Sequence, residues 1–130
     1  MNISVNAPSY KRPDDVRTLS YLPYCRIWVD CKEYDDYKRN YPDAEIISCP
    51  EGVQGNLCRI RNYILKEEFE RGMDVVLIID DDFTCLRRFD YDEMDGWGYD
   101  THIITSEEFI PFIEKYSVIA DEFGAKFWGV

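Results

Sequence analysis

A chain of 130 residues, 45% hydrophobic, is long enough for one domain with a real core and too short for two of ordinary size. Its 26 acidic against 15 basic residues give a formal net charge of -11, which disfavours a nonspecific grip on nucleic acid or anionic lipid, so any phosphate-bearing ligand needs a local basic patch or a metal. Apolar runs such as Val75 to Ile79 are far shorter than a membrane span, and "MNISVNAPSYKRP" lacks the order of a signal peptide. The expectation is a soluble, cytoplasmic protein with no membrane partner.

Short β-like runs alternate with helical patterns, the mark of a βαβ architecture around a mainly parallel sheet. "NISVNAP" reads as a first strand. "KRPDDVRTLSYL" then opens a helix, with Pro13 near its first position and Asp14 and Asp15 favourable to its positive end. "CRIWVD" is a second strand, with Trp28 in the core. "KEYDDYKRNYP" is a short helix with Tyr34, Tyr37 and Tyr41 at helical spacing, stopped by Pro42, and "AEIISCP" is a third strand. After the loop "PEGVQG", Asn56 can cap a helix whose apolar stripe is Leu57, Ile60, Ile64, Leu65 and Phe69, ending at Gly72. "DVVLIID" is a continuous apolar run, as in a central strand of a parallel sheet covered on both faces.

From Phe89 to Ile104 the chain turns acidic, aromatic and Gly-bearing and reads as an irregular loop. A last helix starts at the capping-box pair Thr105 and Glu108, tolerates Pro111 near its start, and buries Phe109, Phe112, Ile113, Tyr116, Ile119 and Phe123. After Gly124, "AKFWGV" begins another strand. Cys25, Cys31, Cys49, Cys58 and Cys85 lack the C-x-x-C pairs of a zinc site and fit buried free thiols in a reducing compartment. His102 is the sole histidine, so carboxylates must carry most acid-base or metal chemistry. "DYDEMDGWGYDT" does not fit a calcium loop, because Met94, Asp95 and Thr101 occupy the positions that need an acid, a glycine and a glutamate.

Three adjacent aspartates, Asp80 to Asp82, follow the apolar run and sit at the carboxyl end of the strand, the edge where open α/β sheets bind ligands. A solvated turn or a helix cap would explain them without chemistry. In an extended chain, however, Asp80 and Asp82 point the same way and Asp81 oppositely. Two convergent carboxylates suit Mg²⁺ or Mn²⁺, which would bridge to a diphosphate.

The order of these parts resembles the donor-binding half of GT-A-type glycosyltransferases, whose metal motif is Asp-x-Asp after an apolar strand. "IIDDDF" is similar to that motif, and "RIWVD" to the family's second strand, which ends in an acidic residue near the nucleoside. "GVQGNLCRIRNYIL" looks like the loop and helix where a Gly precedes Ala-Arg-Asn, and "VNAPSYKRP" like the loop that wraps the nucleotide. The resemblance covers most of residues 3 to 83 and departs from the family at Cys31, where a second acid is usual, and at Ile60, where a small residue is usual.

What it implies is a Rossmann-like, GT-A-type three-layer α/β sandwich with a mainly parallel sheet, truncated at the C-terminus. Asp80 and Asp82 would hold Mn²⁺ or Mg²⁺. Pro8, Ser9, Tyr10 and Asp30 would seat the nucleoside, Arg61 would orient the acidic group or the phosphate, and Asp81 counts with the nucleotide-binding residues. The donor would be a nucleotide-diphospho-sugar of UDP-sugar type. The acceptor site and general base of such enzymes lie beyond the fifth strand, which implies a missing C-terminal segment or partner chain. Some phage sugar transferases that modify hydroxymethylated pyrimidines in DNA are similar in "APSYKRP" and "IIDDDF", which makes a modified DNA base one acceptor to consider.

Arg87 and Arg88 could offset the aspartates or meet a diphosphate, with plain surface placement equally open. Trp97, between Gly96 and Gly98, could be a lid over a sugar or a partner-facing aromatic. Two other classes stay open. A phosphoryl-transfer enzyme would carry its nucleophilic Asp at the first strand, where Asn6 to Ser9 offers none. A non-catalytic Rossmann-like binding or assembly module would have an acidic rim that is only solvated, with no metal-dependent nucleotide affinity.

Overall fold

The computed structural model describes residues 1–92 and 98–129, and the reading of Trp97 lies outside them. Met1–Thr84 and Cys85–Val130 form two compact units. In the first, β1 (Ile3–Pro8), α1 (Thr18–Tyr21), β2 (Arg26–Asp30), α2 (Tyr34–Asn40), β3 (Ile46–Cys49), α3 (Leu57–Glu70) and β4 (Val75–Ile78) follow in chain order. All strand pairs are parallel, in the order β3-β2-β1-β4. The unit is α/β, a four-stranded parallel sheet flanked by helices, and is Rossmann-like. No helix among the described residues is long and apolar enough to cross a membrane.

Right-handed crossovers put α1 and α2 on one face, because β1, β2 and β3 step one way across the sheet; the return to β4 beside β1 sends α3 to the other. The α3 face holds a core of Trp28, Cys49, Ile60 and Ile64, with the Trp28 and Tyr63 rings edge-on at 6.0 Å. Val5, Ala7, Ile27 and Val29, one residue out of phase, are buried on the opposite face. Asn56 caps α3 by accepting from the Arg59 amide at 3.0 Å, and Gly72, at φ 92°, closes its end in the left-handed region.

Several expectations are corrected. The helix expected from Lys11 is reduced to the single turn Thr18–Tyr21, because tyrosine hydroxyls of the next helical segment take up backbone donors before it. The Arg12 amide donates to the Tyr37 hydroxyl at 3.1 Å and the Val16 amide to the Tyr41 hydroxyl at 3.0 Å. β4 is an edge strand of the described sheet rather than a central one, and its residues are half-buried. Leu57 and Phe69 are exposed, since α3 turns Ile60, Ile64 and Glu68 inward instead. Of the five cysteines, all free, Cys25 and Cys49 are buried while Cys31 and Cys58 are exposed.

The second unit contains β5 (Leu86–Asp92), β6 (Gly98–Ile104) and α4 (Ser106–Glu122). The stretch read as an irregular loop is an antiparallel hairpin, with Phe89 opposite Thr101 and Tyr91 opposite Tyr99. Its acids and glycines masked the β propensity of its aromatic and β-branched residues. The capping box at Thr105 and Glu108 is present. Phe109 and Ile113 are buried, Phe112 is half-buried, and Tyr116, Ile119 and Phe123 are exposed; Ser117 turns inward instead, its hydroxyl donating to the Ile113 carbonyl at 2.8 Å. No strand follows Gly124 among the described residues, and Phe127 is exposed.

A polar seam runs through the α3 face of the first unit. Trp28 Nε1 donates to Asn6 Oδ1 at 2.9 Å, and Asn6 Nδ2 donates to Ser4 Oγ at 2.9 Å. Ser4 in turn bonds Glu68, which receives Arg71 Nη2 at 2.7 Å and faces Arg26 Nη2 at 3.1 Å as an ion pair without hydrogen-bond alignment. Burial pushes the Glu68 carboxyl up, but the bonds from Arg71 and Ser4 and the charges of Arg26 and Arg71 outweigh it and hold Glu68 below its ordinary 4.5. A depressed carboxyl contributes stability that is present above about pH 4.5 and lost as the pH falls through its lowered value. Glu68→Ala should therefore cost about 1–3 kcal/mol in urea unfolding at neutral pH, because it removes the buried carboxylate that Ser4 and Arg71 bond and takes one of two carboxylate partners from half-buried Arg26. Glu68→Gln should flatten the acid limb of the stability profile, and an unchanged midpoint for the alanine variant would show that the cluster contributes nothing.

Candidate functional site

The strand order reverses between β1 and β4, and their carboxyl ends meet there. A cleft opens outside such a switch point because the loops after the two strands leave in opposite directions. Here it encloses about 290 Å³ and is lined by Pro8, Tyr10, Arg12, Leu57 and Asp80 to Asp82. A second hollow of about 230 Å³ shares Pro8, Tyr10 and Leu57 and continues over Gln54, Gly55 and Ile60. Gly55, at φ 90°, lies under the Tyr10 ring, which a Cβ there would meet at 3.9 Å.

The three aspartates are divided by a turn rather than by strand pleat. β4 ends at Ile78 and the chain turns through Asp81 and Asp82. Asp80 and Asp82 are exposed, the Asp80 side chain to 70%, whereas Asp81 is only 6% exposed. Thr18, the first residue of α1, clamps the turn: its hydroxyl donates to the Asp80 carbonyl at 2.6 Å and accepts from the Phe83 amide at 3.0 Å. Its own amide donates to the Asp81 carbonyl at 3.0 Å.

Both Asp81 oxygens are engaged by the protein. Ser9 Oγ donates to Oδ2 at 2.7 Å, Arg12 Nε reaches the same oxygen at 3.3 Å, and Arg12 Nη2 holds Oδ1. Ser9 also shares a hydrogen bond of 2.8 Å with the hydroxyl of Tyr37, which is fully buried. Asp81, by hydrogen bond and charge, raises the pKa of the Arg12 guanidinium; burial raises that of Tyr37.

Of the residues singled out in the sequence, Pro8, Tyr10, Asp80, Asp81 and Asp82 line the cleft. Ser9 lies buried beneath it. Arg61 stands beside it with Nη2 3.5 Å from Asp80 Oδ1, and its buried Nε has no hydrogen-bond partner among the described residues. Asp30 is not among the lining residues; it ends β2 half-buried, and its carboxylate accepts the Lys32 amide at 3.2 Å. Arg87 and Arg88 belong to β5, where Arg87 donates to Thr101 Oγ1 at 3.4 Å.

Arg12 and Gln54, which line the two hollows, and Thr18 and Tyr37, which brace them, were not singled out as site residues in the sequence. Arg12 could have been found as the first guanidinium after β1, two residues beyond Tyr10; the others act through long-range bonds that leave no local signal. Among the described residues, no group of three or more His, Cys, Asp or Glu side chains is gathered as a metal cage. Comparison with protein-family models, curated proteins and solved structures returns no match to this chain.

The arrangement defines an α/β unit with an acidic cleft at its switch point, two outward carboxylates and two guanidiniums. Its clamp is open to test. Thr18→Val keeps the shape but removes a buried donor and acceptor, and should cost about 1–3 kcal/mol. Amide exchange at Phe83 should accelerate with it; unchanged exchange there would mean that the turn stands without Thr18.

Proposed function

We propose that this chain is the donor-binding part of a metal-dependent glycosyltransferase of GT-A type, acting on a nucleotide-diphospho-sugar. The observation that carries the reading is the pair Asp80 and Asp82, turned outward into a switch-point cleft while Asp81 is turned in. Two carboxylates hold a hard divalent ion only with help, which suits Mg²⁺ or Mn²⁺ completing its shell with phosphate oxygens and water. The acidic side chains lining the cleft outnumber the guanidiniums beside it, so a polyanionic diphosphate is repelled unless a cation arrives with it.

In this reading Asp80 and Asp82 would hold the metal, which supplies Lewis-acid stabilisation of the charge that develops on the departing diphosphate. Tyr10 and the adjoining hollow over Gly55 and Leu57 would take the flat base, in a slot apolar enough to favour stacking. Arg61 would exchange its loose contact with Asp80 for a bond to phosphate or metal-bound carboxylate. Ser9 and Pro8 shape the wall, with Ser9 acting from below through Asp81. Asp30, one strand over, would reach the ribose or base only at the far end of the ligand. A DNA-base acceptor is one candidate for the sugar's destination.

Isothermal titration of UDP and UDP-glucose, with and without Mn²⁺, tests the reading. Binding should require the metal and weaken about tenfold or more in Asp82→Asn. Affinity that is indifferent to both metal and Asp82 would overturn it in favour of a plain binding module.

A further inference from the structure

Arg12 is the least expected member of the cleft, and the fold commits several groups to keeping it there. Its side chain is 45% exposed and lines the cleft beside Asp80 to Asp82. The edge formed by Nε and Nη2 lies against Asp81, a bidentate pairing that fixes the plane of the guanidinium. A guanidinium has five N–H donors, and this geometry uses one edge and leaves the other, centred on Nη1, for a further acceptor.

The loop that carries Arg12 is strained and then pinned. Lys11 has φ 57° and is the one non-glycine residue with positive φ among the described residues. A lysine there costs free energy, which persists only where the surroundings over-determine the conformation. They do: the Lys11 amide donates to Glu33 Oε2 at 3.2 Å, the Arg12 amide to the Tyr37 hydroxyl at 3.1 Å, and Gln54 Nε2 to the Ser9 carbonyl at 3.4 Å. The reversal at Lys11 lets Tyr10 and Arg12 line the same cleft.

We propose that Arg12 binds the phosphate chain of the ligand through the guanidinium edge that Asp81 leaves open, with Asp81 as the positioning residue that holds it there. This rests on the cleft being a nucleotide-diphosphate site. It assigns the three aspartates two tasks. Asp80 and Asp82 face the ligand, while Asp81, its oxygens already bonded, aims the cation that meets the phosphate. The partner class is thereby narrowed to ligands with a phosphate chain, since an uncharged sugar would leave the open edge unmatched.

The test is titration of UDP and of inorganic pyrophosphate in the presence of Mg²⁺, on the wild type, Arg12→Gln, Arg12→Lys and Asp82→Asn, with circular dichroism as the check on folding. Arg12→Gln should lose about tenfold to a hundredfold in affinity for both ligands, the range of a charge-assisted bond. Arg12→Lys keeps a cation beside Asp81 without the fork and should recover part of that loss; it also stands in if the glutamine variant does not fold. Wild-type affinity in both Arg12 variants, with loss only in Asp82→Asn, would overturn the role of Arg12 and leave the donor-site reading intact. Pyrophosphate binding that depends on Arg12, without any gain from the nucleoside, would keep the inference and remove the nucleotide. A wild type that binds neither ligand would overturn both.

Discussion

A carboxylate withdrawn from water must be matched by donors, and the burial of Asp81 is the constraint around which the cleft is organised. Its match comes from three sides at once: Ser9 at the end of β1, Arg12 in the loop that follows, and Tyr37 of α2 acting through Ser9. Because those donors belong to different segments, satisfying one side chain fixes the loop after β1, the turn after β4 and one face of α2 relative to one another. The same act decides which aspartates face outward into the cleft. With Asp81 turned in and Thr18 holding the turn, Asp80 and Asp82 are left outside.

The sheet supplies the platform for that arrangement. The Trp28 carbonyl, near the end of β2, accepts from the Ser9 amide at 2.9 Å and from Gln54 Nε2 at 2.8 Å, so the loops after β1 and β3 hang on one acceptor. The indole of the same Trp28 is tied through Asn6 and Ser4 to the buried Glu68 cluster at the opposite end of the sheet. A polar seam of this kind is costly to bury and tolerates few alternative registers, since a strand slip would leave its members unpaired. It holds the floor of the cleft in a single register while the apolar core around Ile60 and Ile64 provides the gross stability.

What the sequence disclosed follows from the range of each interaction. The strands of the first unit, the α2 tyrosines, the Asn56 cap, Gly72 and the Thr105–Glu108 box are local features, and they were legible because their signals lie within one or two turns of chain. The outward pair of aspartates was also legible, although the reason differed: a turn separates Asp81 from its neighbours where pleating had been expected. The one-turn α1, the edge position of β4 and the inward Glu68 were not legible. Each depends on partners far away in sequence, such as Tyr37 and Tyr41 for the first and Arg26 for the last. The β5–β6 hairpin was not legible because its acids and glycines obscure the two-residue alternation of Phe89 and Tyr91.

The acidity of the chain and the aspartate triplet bear on each other. A surface of net charge -11 raises the free energy of any approaching polyanion, and three consecutive carboxylates raise it most at the cleft. An arginine bound wholly to the triplet would merely cancel that repulsion. Arg12 is held by one edge to Asp81, the least exposed of the three carboxylates, while its side chain stays 45% exposed in the cleft. Arg61, more loosely held to exposed Asp80, is the one free to exchange partners. One guanidinium is thus fixed and the other held only by a loose pairing with Asp80. With three carboxylates against two guanidiniums the cleft keeps a net negative charge, which favours a cation and opposes a bare anion.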